Sequence, residues 1–356
     1  MSSKKKIQIF YGGFKAIRGG VNSNSITLTK ELEKNFDVSL YTLDNLPFLI
    51  KFFPHIIEKI VNFFFLPLGF FYKDICTGFL FKLFFDKKVD YRIFQDVYLS
   101  WNSNIPSITI LHAVWSDNLQ KFSIKKKKLE KLKQKEINKI NSIKHPIRTV
   151  STEYKNYILK KHFFNNIKNE INVVELGIKK NSVIIRNKQK QKQKQKQKKL
   201  IYVGSLEKRK NIFFLLRVFH KIYKYNQKYR LTIIGKGPDE YQLKDFVKKL
   251  KLPVKFLGYK NHKEIFNELS KHSIYIHTSL KESFSLSLLE AKIAGLSTVA
   301  YKHLQVPKNF IDYGVNEFNE NKWFNTIINI KKKPIKFKYK KYLINNMVNR
   351  LLKIAK

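Results

Sequence analysis

The sequence predicts an α/β protein made of two doubly wound parallel-sheet domains that face one another across a cleft. Three observations predict it. A length of 356 residues fits about two domains. Short apolar runs that end in glycine alternate with stretches of helical spacing in both halves of the chain. Between the halves, residues 185–199 are dominated by an alternating Lys/Gln tract that cannot bury a face and reads as a solvated linker. These place an N-terminal domain at 1–184 and a C-terminal domain at 200–330.

The elements follow in order. Ile7–Tyr11 is an apolar run closed by Gly12 and Gly13, and reads as a first buried strand. After a loop with Gly19 and Gly20, Ser25–Asn35 carries helical spacing, and Val38–Thr42 reads as the next strand. That order is a right-handed βαβ unit. Further strands are expected at Arg92–Val97, Ser107–Leu111, Thr149–Ser151 and Val173–Leu176, with a basic helix over Lys125–Lys144. The second half repeats the pattern. Strands are expected at Leu200–Val203, Leu231–Ile234, Val254–Leu257, Ile274–His277 and Thr298–Ala300. Helices are expected at Phe213–Tyr223, Tyr241–Leu250, Ile265–Ser270 and Ser287–Ala294. In such sheets ligands sit at the carboxyl ends of the strands. Apolar spacing at Leu343, Met347, Leu351 and Ile354 predicts a last helix that packs back on the first domain.

Composition narrows the function classes. Hydrophobic residues make up 43% of the chain, which excludes wholesale disorder. A net charge of +45 draws polyanions such as phosphorylated substrates, anionic lipid or nucleic acid; compositional drift toward lysine accounts for it equally well. Cys76 is the single cysteine, so an intramolecular disulfide and a thiolate metal cluster are excluded, and a reducing compartment is favoured. The apolar run Ile60–Tyr72 is interrupted by Asn62, Pro67 and Gly69 and is shorter than the roughly 20 residues a spanning helix needs. The basic start, Met1–Lys6, precedes too few apolar residues for a signal-peptide core. A cytoplasmic protein is therefore expected. Residues 46–85 hold Phe52, Phe53, Phe63, Phe64, Phe65, Phe70 and Phe71 interleaved with lysines. They read either as amphipathic helices lying on an anionic membrane or as core helices of the sheet.

The sharpest chemical signal runs from Glu282 to Gly295, with carboxylates at Glu282 and Glu290 flanking an expected helix start capped by Ser283. Unpaired N–H groups at a helix N-terminus suit a diphosphate, and acids on either side suit hydroxyls. On this reading Glu290 sits about two turns into the helix. Upstream, Val203-Gly204-Ser205-Leu206-Glu207-Lys208-Arg209-Lys210-Asn211 links a strand to a helix, and Ile234-Gly235-Lys236-Gly237-Pro238 follows another strand.

This order of motifs resembles the donor-binding domain of family-4 glycosyltransferases (glycosyl transferases group 1), which have the GT-B fold. The likeness covers about residues 200–318, and extends more thinly through Gly19-Gly20, Gln95-Asp96, Ile110-Leu111-His112 and Val173–Gly177. The resemblance implies that Glu282 contacts the transferred sugar, that Glu290 binds the ribose hydroxyls, and that Lys210 neutralises the leaving diphosphate. It implies that the backbone of Phe284, Ser285 and Leu286 cradles phosphate, and that Gly19 and Gly20 let backbone approach the donor. His112 stands near the reacting sugar, or is a strand-end histidine with a structural hydrogen bond. Gly204, Ser205, Arg209 and Ser283 complete the expected donor side.

The chain departs from the family pattern at several points. Ser205 replaces an arginine, with Arg209 or Lys208 as substitute cations; Asn211 and Ser285 replace glycines; Ser297 and Lys308 replace a proline and a glutamate. The implied activity is retaining, metal-independent transfer from a nucleotide-diphosphate sugar to a lipid-linked or surface-polysaccharide acceptor, without a cofactor. The chain contains no Asp-x-Asp sequence for a metal-diphosphate clamp. Membrane contact would be peripheral. The alternatives are a basic nucleic-acid-binding protein, a catalytically degenerate relative, and a sugar-nucleotide epimerase on the same fold.

Overall fold

A computed structural model describes residues 4–16, 19–65, 67–119, 124–179, 199–331 and 337–353. The chain divides into two units, Met1–Gly177 with Tyr342–Lys356, and Ile178–Lys341. The division falls at Gly177, ahead of the boundary expected at 184. Nearly all of the Lys/Gln tract lies outside the described residues, and Lys199 already belongs to a strand.

The first unit carries β1 (Lys6–Phe10), β2 (Asp37–Tyr41), β3 (Tyr91–Phe94), β4 (Ser107–Leu111), β5 (Ile147–Thr149) and β6 (Ile171–Val173). They form one sheet in the order β2-β1-β3-β4-β5-β6, parallel at every pairing. Strands β3, β4 and β5 are buried at every position, as expected of parallel strands covered on both faces. The first helix begins at Gly20, one turn earlier than its apolar spacing shows, because Asn22, Asn24 and Ser25 are buried although polar. The helix Lys126–Ser142 turns Leu132, Ile137 and Ile140 into the core, and most of its lysines face solvent. The C-terminal helix Ile344–Leu352 belongs to this unit. A Cβ on Gly177 would meet the Cα of Ile344 at 2.5 Å, and Arg350 Nη2 donates to the Glu175 carbonyl at 3.1 Å.

The second unit carries β7 (Lys199–Val203), β8 (Arg230–Ile234), β9 (Val254–Phe256), β10 (Ile274–His277), β11 (Ser297–Tyr301) and β12 (Tyr313–Val315) in the order β12-β11-β10-β7-β8-β9, again all parallel. Strand β12 was not expected; three residues, Tyr-Gly-Val, are too few to show alternation. The chain reverses its direction of winding between β7 and β10, and the loops that follow these two strands open at that switch point. Helix Ile212–Tyr225 buries Leu215, Leu216, Phe219 and Ile222 in the core, and Trp323 packs edge-on to Phe214.

Candidate active site

The loop after β7 and the loop after β10 form a constellation within the second unit. Glycines bring the strand ends together. Gly204 N donates to Ile234 O at 3.0 Å, and Gly235 N to Gly258 O at 2.8 Å. Gly235 has φ +144°, and a Cβ there would lie 1.8 Å from the Gly204 carbonyl oxygen. A tight turn at Lys208–Lys210 follows, and Asn211 leads into the next helix at φ 53°, ψ 44°. This left-handed conformation explains why asparagine can stand in for glycine at this position.

The two loops are pinned to one another. Leu280 N donates to Arg209 O at 2.9 Å, Thr278 Oγ1 to Lys210 O at 3.0 Å, and Arg209 Nη1 to Lys281 O at 3.1 Å. This pinning brings Lys210 Nζ into a hydrogen-bonded ion pair with Glu282 Oε1, both side chains largely buried. Arg209 Nη1 lies 3.8 Å from the same oxygen and its Nη2 pairs with Glu207 at 2.9 Å. Ser205 donates to Glu207 Oε1 at 2.8 Å, so Ser205 and Arg209 share one carboxylate.

His277 Nε2 lies 3.2 Å from Glu282 Oε1, and its Nδ1 lies 3.2 Å from the Tyr275 hydroxyl, which donates to Val203 O and reaches Ser287 Oγ. Burial lowers the His277 pKa, so the neutral ring donates Nε2–H to Glu282. Burial opposes ionisation of Glu282, but Lys210, the His277 hydrogen bond and Arg209 together hold its carboxyl well below the usual carboxylate range.

The helix after this loop spans Leu286–Ile293, and its cap is Ser285, not Ser283. Ser285 Oγ accepts from Leu288 N at 3.3 Å, and the residue sits at φ 64°, ψ 88°. Serine therefore holds a conformation that favours glycine because its hydroxyl caps the helix. Glu290 lies little more than one turn into the helix, nearer its start than the expected two turns. It is buried, and its Oε1 pairs with His262 Nδ1 at 2.6 Å.

The charge of Glu290, and then its hydrogen bond, raise the His262 pKa above the ordinary 6.5 against the opposing effects of burial and Lys179. The stabilisation from this pair is full below pH 6.5 and is lost as pH rises through the raised value. In melts of the full chain, the Tm advantage over His262→Gln should therefore shrink as pH rises above neutrality. A difference that is flat with pH would show that the pair carries no charge.

In the first unit, His112 follows β4. Its Nε2 lies 2.9 Å from Gln95 Oε1, and burial pushes its pKa down to about 4, so the ring is neutral at physiological pH. The Gln95 amide Nε2 is buried with no hydrogen-bond partner among the described residues. Gly19 is the extended residue before the first helix and Gly20 its first residue; a Cβ on either would meet nothing within 4 Å. Among the described residues, no crowding demands glycine at these two positions.

Of the expected site residues, Glu282, Lys210, Arg209 and Ser205 converge, whereas Glu290 takes a separate partner. His262, His277, Tyr275 and Glu207 join the site without having been assigned a role from the sequence. His277 lies in a recognisable strand-end motif. His262 gives no such signal, because it meets Glu290 only through the fold.

Residues 183–349 match the family model described as glycosyl transferases group 1. This segment belongs to that family. The chain is also similar over part of its length to two curated proteins. It is 31% identical over 111 residues to the phosphatidylinositol N-acetylglucosaminyltransferase gpi3 subunit of Schizosaccharomyces pombe, which covers 31% of this chain and 24% of that protein. It is 24% identical over 169 residues to the UDP-N-acetylglucosamine–peptide N-acetylglucosaminyltransferase GtfA subunit of Streptococcus pneumoniae, which covers 48% of this chain and 33% of that protein. The matches thus span a third or less of these two relatives. Among solved structures, sucrose-phosphate synthase from Thermosynechococcus elongatus aligns over 99% of this chain and 95% of its own, at 16% identity and TM-score 0.67. TarM from S. aureus aligns over 99% of both chains at 13% identity and TM-score 0.68. HepE from Anabaena, solved with UDP and glucose, aligns over 98% of both at 15% identity and TM-score 0.64. Two units, each a Rossmann-like parallel sheet with helices, fit the GT-B fold of these neighbours.

Proposed function

We propose that this chain is a retaining glycosyltransferase that uses a nucleotide-diphosphate sugar without a metal ion. Its acceptor is a lipid-linked or surface-polysaccharide intermediate met at the cytoplasmic face of a membrane. The observation that carries the reading is the buried Lys210–Glu282 pair, with Arg209 beside it, on the two loops at the sheet's switch point. In the transfer, the bond from the anomeric carbon to the diphosphate breaks and a bond to the acceptor oxygen forms on the same face. The acceptor proton leaves with the diphosphate. Negative charge grows on the leaving group, so cations fixed in place stabilise the transition state more than the ground state.

Burial pushes the Lys210 pKa down, and the Glu282 carboxylate beside it opposes that shift and favours the charged amine. Engaged by Lys210 and His277, Glu282 acts as a sugar-facing acceptor of hydrogen bonds, not as a covalent nucleophile. Ser283, Phe284, Ser285 and Leu286 lead into the helix whose N-terminus receives phosphate. Glu290, held by His262 through one oxygen, offers the other to the ribose. Gly204 keeps the β7 loop close to the donor. Gly19 and Gly20, uncrowded by the protein, leave room for the donor, and the unpaired Gln95 amide beside His112 is a donor for a sugar or acceptor hydroxyl.

The test is a metal-free thermal-shift screen against UDP, GDP, ADP, dTDP and their sugars. UDP comes first because HepE and TarM were solved with it. Ligand at about 100 times its Kd stabilises by about 2.7 kcal/mol. The shift should disappear in Glu290→Ala. A folded protein that shifts with no nucleotide would overturn the proposal.

A further inference from the structure

We propose that the helix Phe53–Phe65 and the chain leading into it form a docking surface for an anionic lipid bilayer. The inference does not depend on the glycosyl-transfer reading. Eleven of the fifteen exposed large hydrophobic side chains among the described residues lie between Phe48 and Leu83, so the apolar exposure is concentrated in one region. Along the helix and the chain leading into it, the exposure is also ordered. Leu49, Phe52, Ile56 and Ile60 recur at steps of three or four, and Phe63 and Phe64, three and four residues after Ile60, complete one stripe, with Phe63 84% and Phe64 62% exposed.

The stripe cannot roll inward. On the other side, Glu58 pairs with Lys73 at 3.3 Å, and Asn62 Oδ1 accepts from Gly69 N at 3.0 Å. A Cβ on Gly69 would lie 2.4 Å from the Glu58 carbonyl, so the helix is locked close against the helix Leu68–Phe85. This arrangement seats Glu58, Val61 and Asn62 against the protein and leaves the rings of the stripe toward the surroundings.

Charge selects the occupant. Lys51 lies 4.8 Å and 5.2 Å over the rings of Phe48 and Phe52. Lys59 is exposed within the stripe, and Lys131 stands 6.0 Å over Phe65, which brings the lysine-rich helix Lys126–Ser142 to the end of the apolar face. Rings flanked by lysines match the acyl boundary and anionic headgroups of a membrane surface. No helix among the described residues is long and apolar enough to cross a membrane, so the helix lies in the interface plane.

The experiment is sedimentation of the full chain with vesicles of phosphatidylcholine alone and of phosphatidylcholine mixed with phosphatidylglycerol. The expected result is binding to the mixed vesicles that weakens with salt. It should fall by about tenfold or more in Phe63→Asp/Phe64→Asp. It should be unchanged in Tyr241→Asp, a substitution at an 84% exposed tyrosine of the other unit. Unaltered Tm of the variants confirms that the loss is not unfolding. Failure to bind mixed vesicles, or equal binding after Phe63→Asp/Phe64→Asp, overturns the proposal. So does a stable dimer that dissociates on that substitution, because a second copy would then be what covers the stripe.

Discussion

Alanine at Lys210 is expected to lower kcat/KM for sugar transfer by about 10²–10³-fold, the usual effect of removing one fixed donor from a site of developing negative charge. Lys210 is the cation closest to Glu282 and is held there from both loops, so it needs no reorganisation when the diphosphate leaves. The same substitution also has a structural cost. It leaves a buried carboxylate with Arg209 at 3.8 Å and the neutral His277 as its remaining partners, and should destabilise the fold by about 1–3 kcal/mol. These two consequences are separable. Lys210→Ala combined with Glu282→Gln removes the uncompensated charge and should recover part of the stability but none of the activity. Steady-state kinetics and urea melts on the three variants make the cycle. If Lys210→Ala kept activity within a few-fold of the parent, the diphosphate would have to be neutralised elsewhere, and the proposed mechanism would fail.

The second large effect concerns glycines. Gly235→Ala is expected to destabilise the protein by about 3 kcal/mol or more. The residue has φ +144°, a conformation closed to L side chains, and its new Cβ would press within 1.8 Å of the Gly204 backbone, which cannot swing aside. Gly19→Ala and Gly20→Ala should behave in the opposite way. Neither Cβ meets protein within 4 Å, and neither position needs a left-handed backbone, so stability should move by no more than about 1 kcal/mol. Their effect should fall on donor binding, as a raised KM for the nucleotide sugar. Denaturant midpoints against KM, measured on all three variants, distinguish a glycine the fold requires from glycines kept for a ligand. A midpoint for Gly235→Ala equal to the parent would refute the steric argument, and an unchanged KM at Gly19 and Gly20 would remove them from the donor site.

The candidate site was legible in part because its motifs follow sequence order. Glycine after a strand and acids around a helix start are local features, and Glu282, Lys210 and the Gly235 turn stand where those features put them. Asn211 and Ser285 looked like departures from the family pattern. Both hold left-handed backbones, with an asparagine in one case and a capping hydroxyl in the other in place of glycine. The misplacement of the cap at Ser283 has a simple cause. Two serines stand two residues apart, and only the backbone geometry of the turn decides which one faces the free N–H groups of the helix.

The sequence by itself determined the two α/β halves, nearly every strand and the motifs of the loops after β7 and β10, because these rest on local periodicity and on residue types with strong backbone preferences. Only the tertiary structure decided the partners. It joined Glu290 to His262, 28 positions away, and Glu282 to Lys210, 72 positions away, since side chains that meet at the ends of parallel strands are separated by whole crossover helices. It also decided which face of the first aromatic helix is exposed. Helical spacing shows that Phe53–Phe65 has two faces, but not which face its neighbour takes. The close approach at Gly69 turns Glu58 and Asn62 inward and leaves the rings outside.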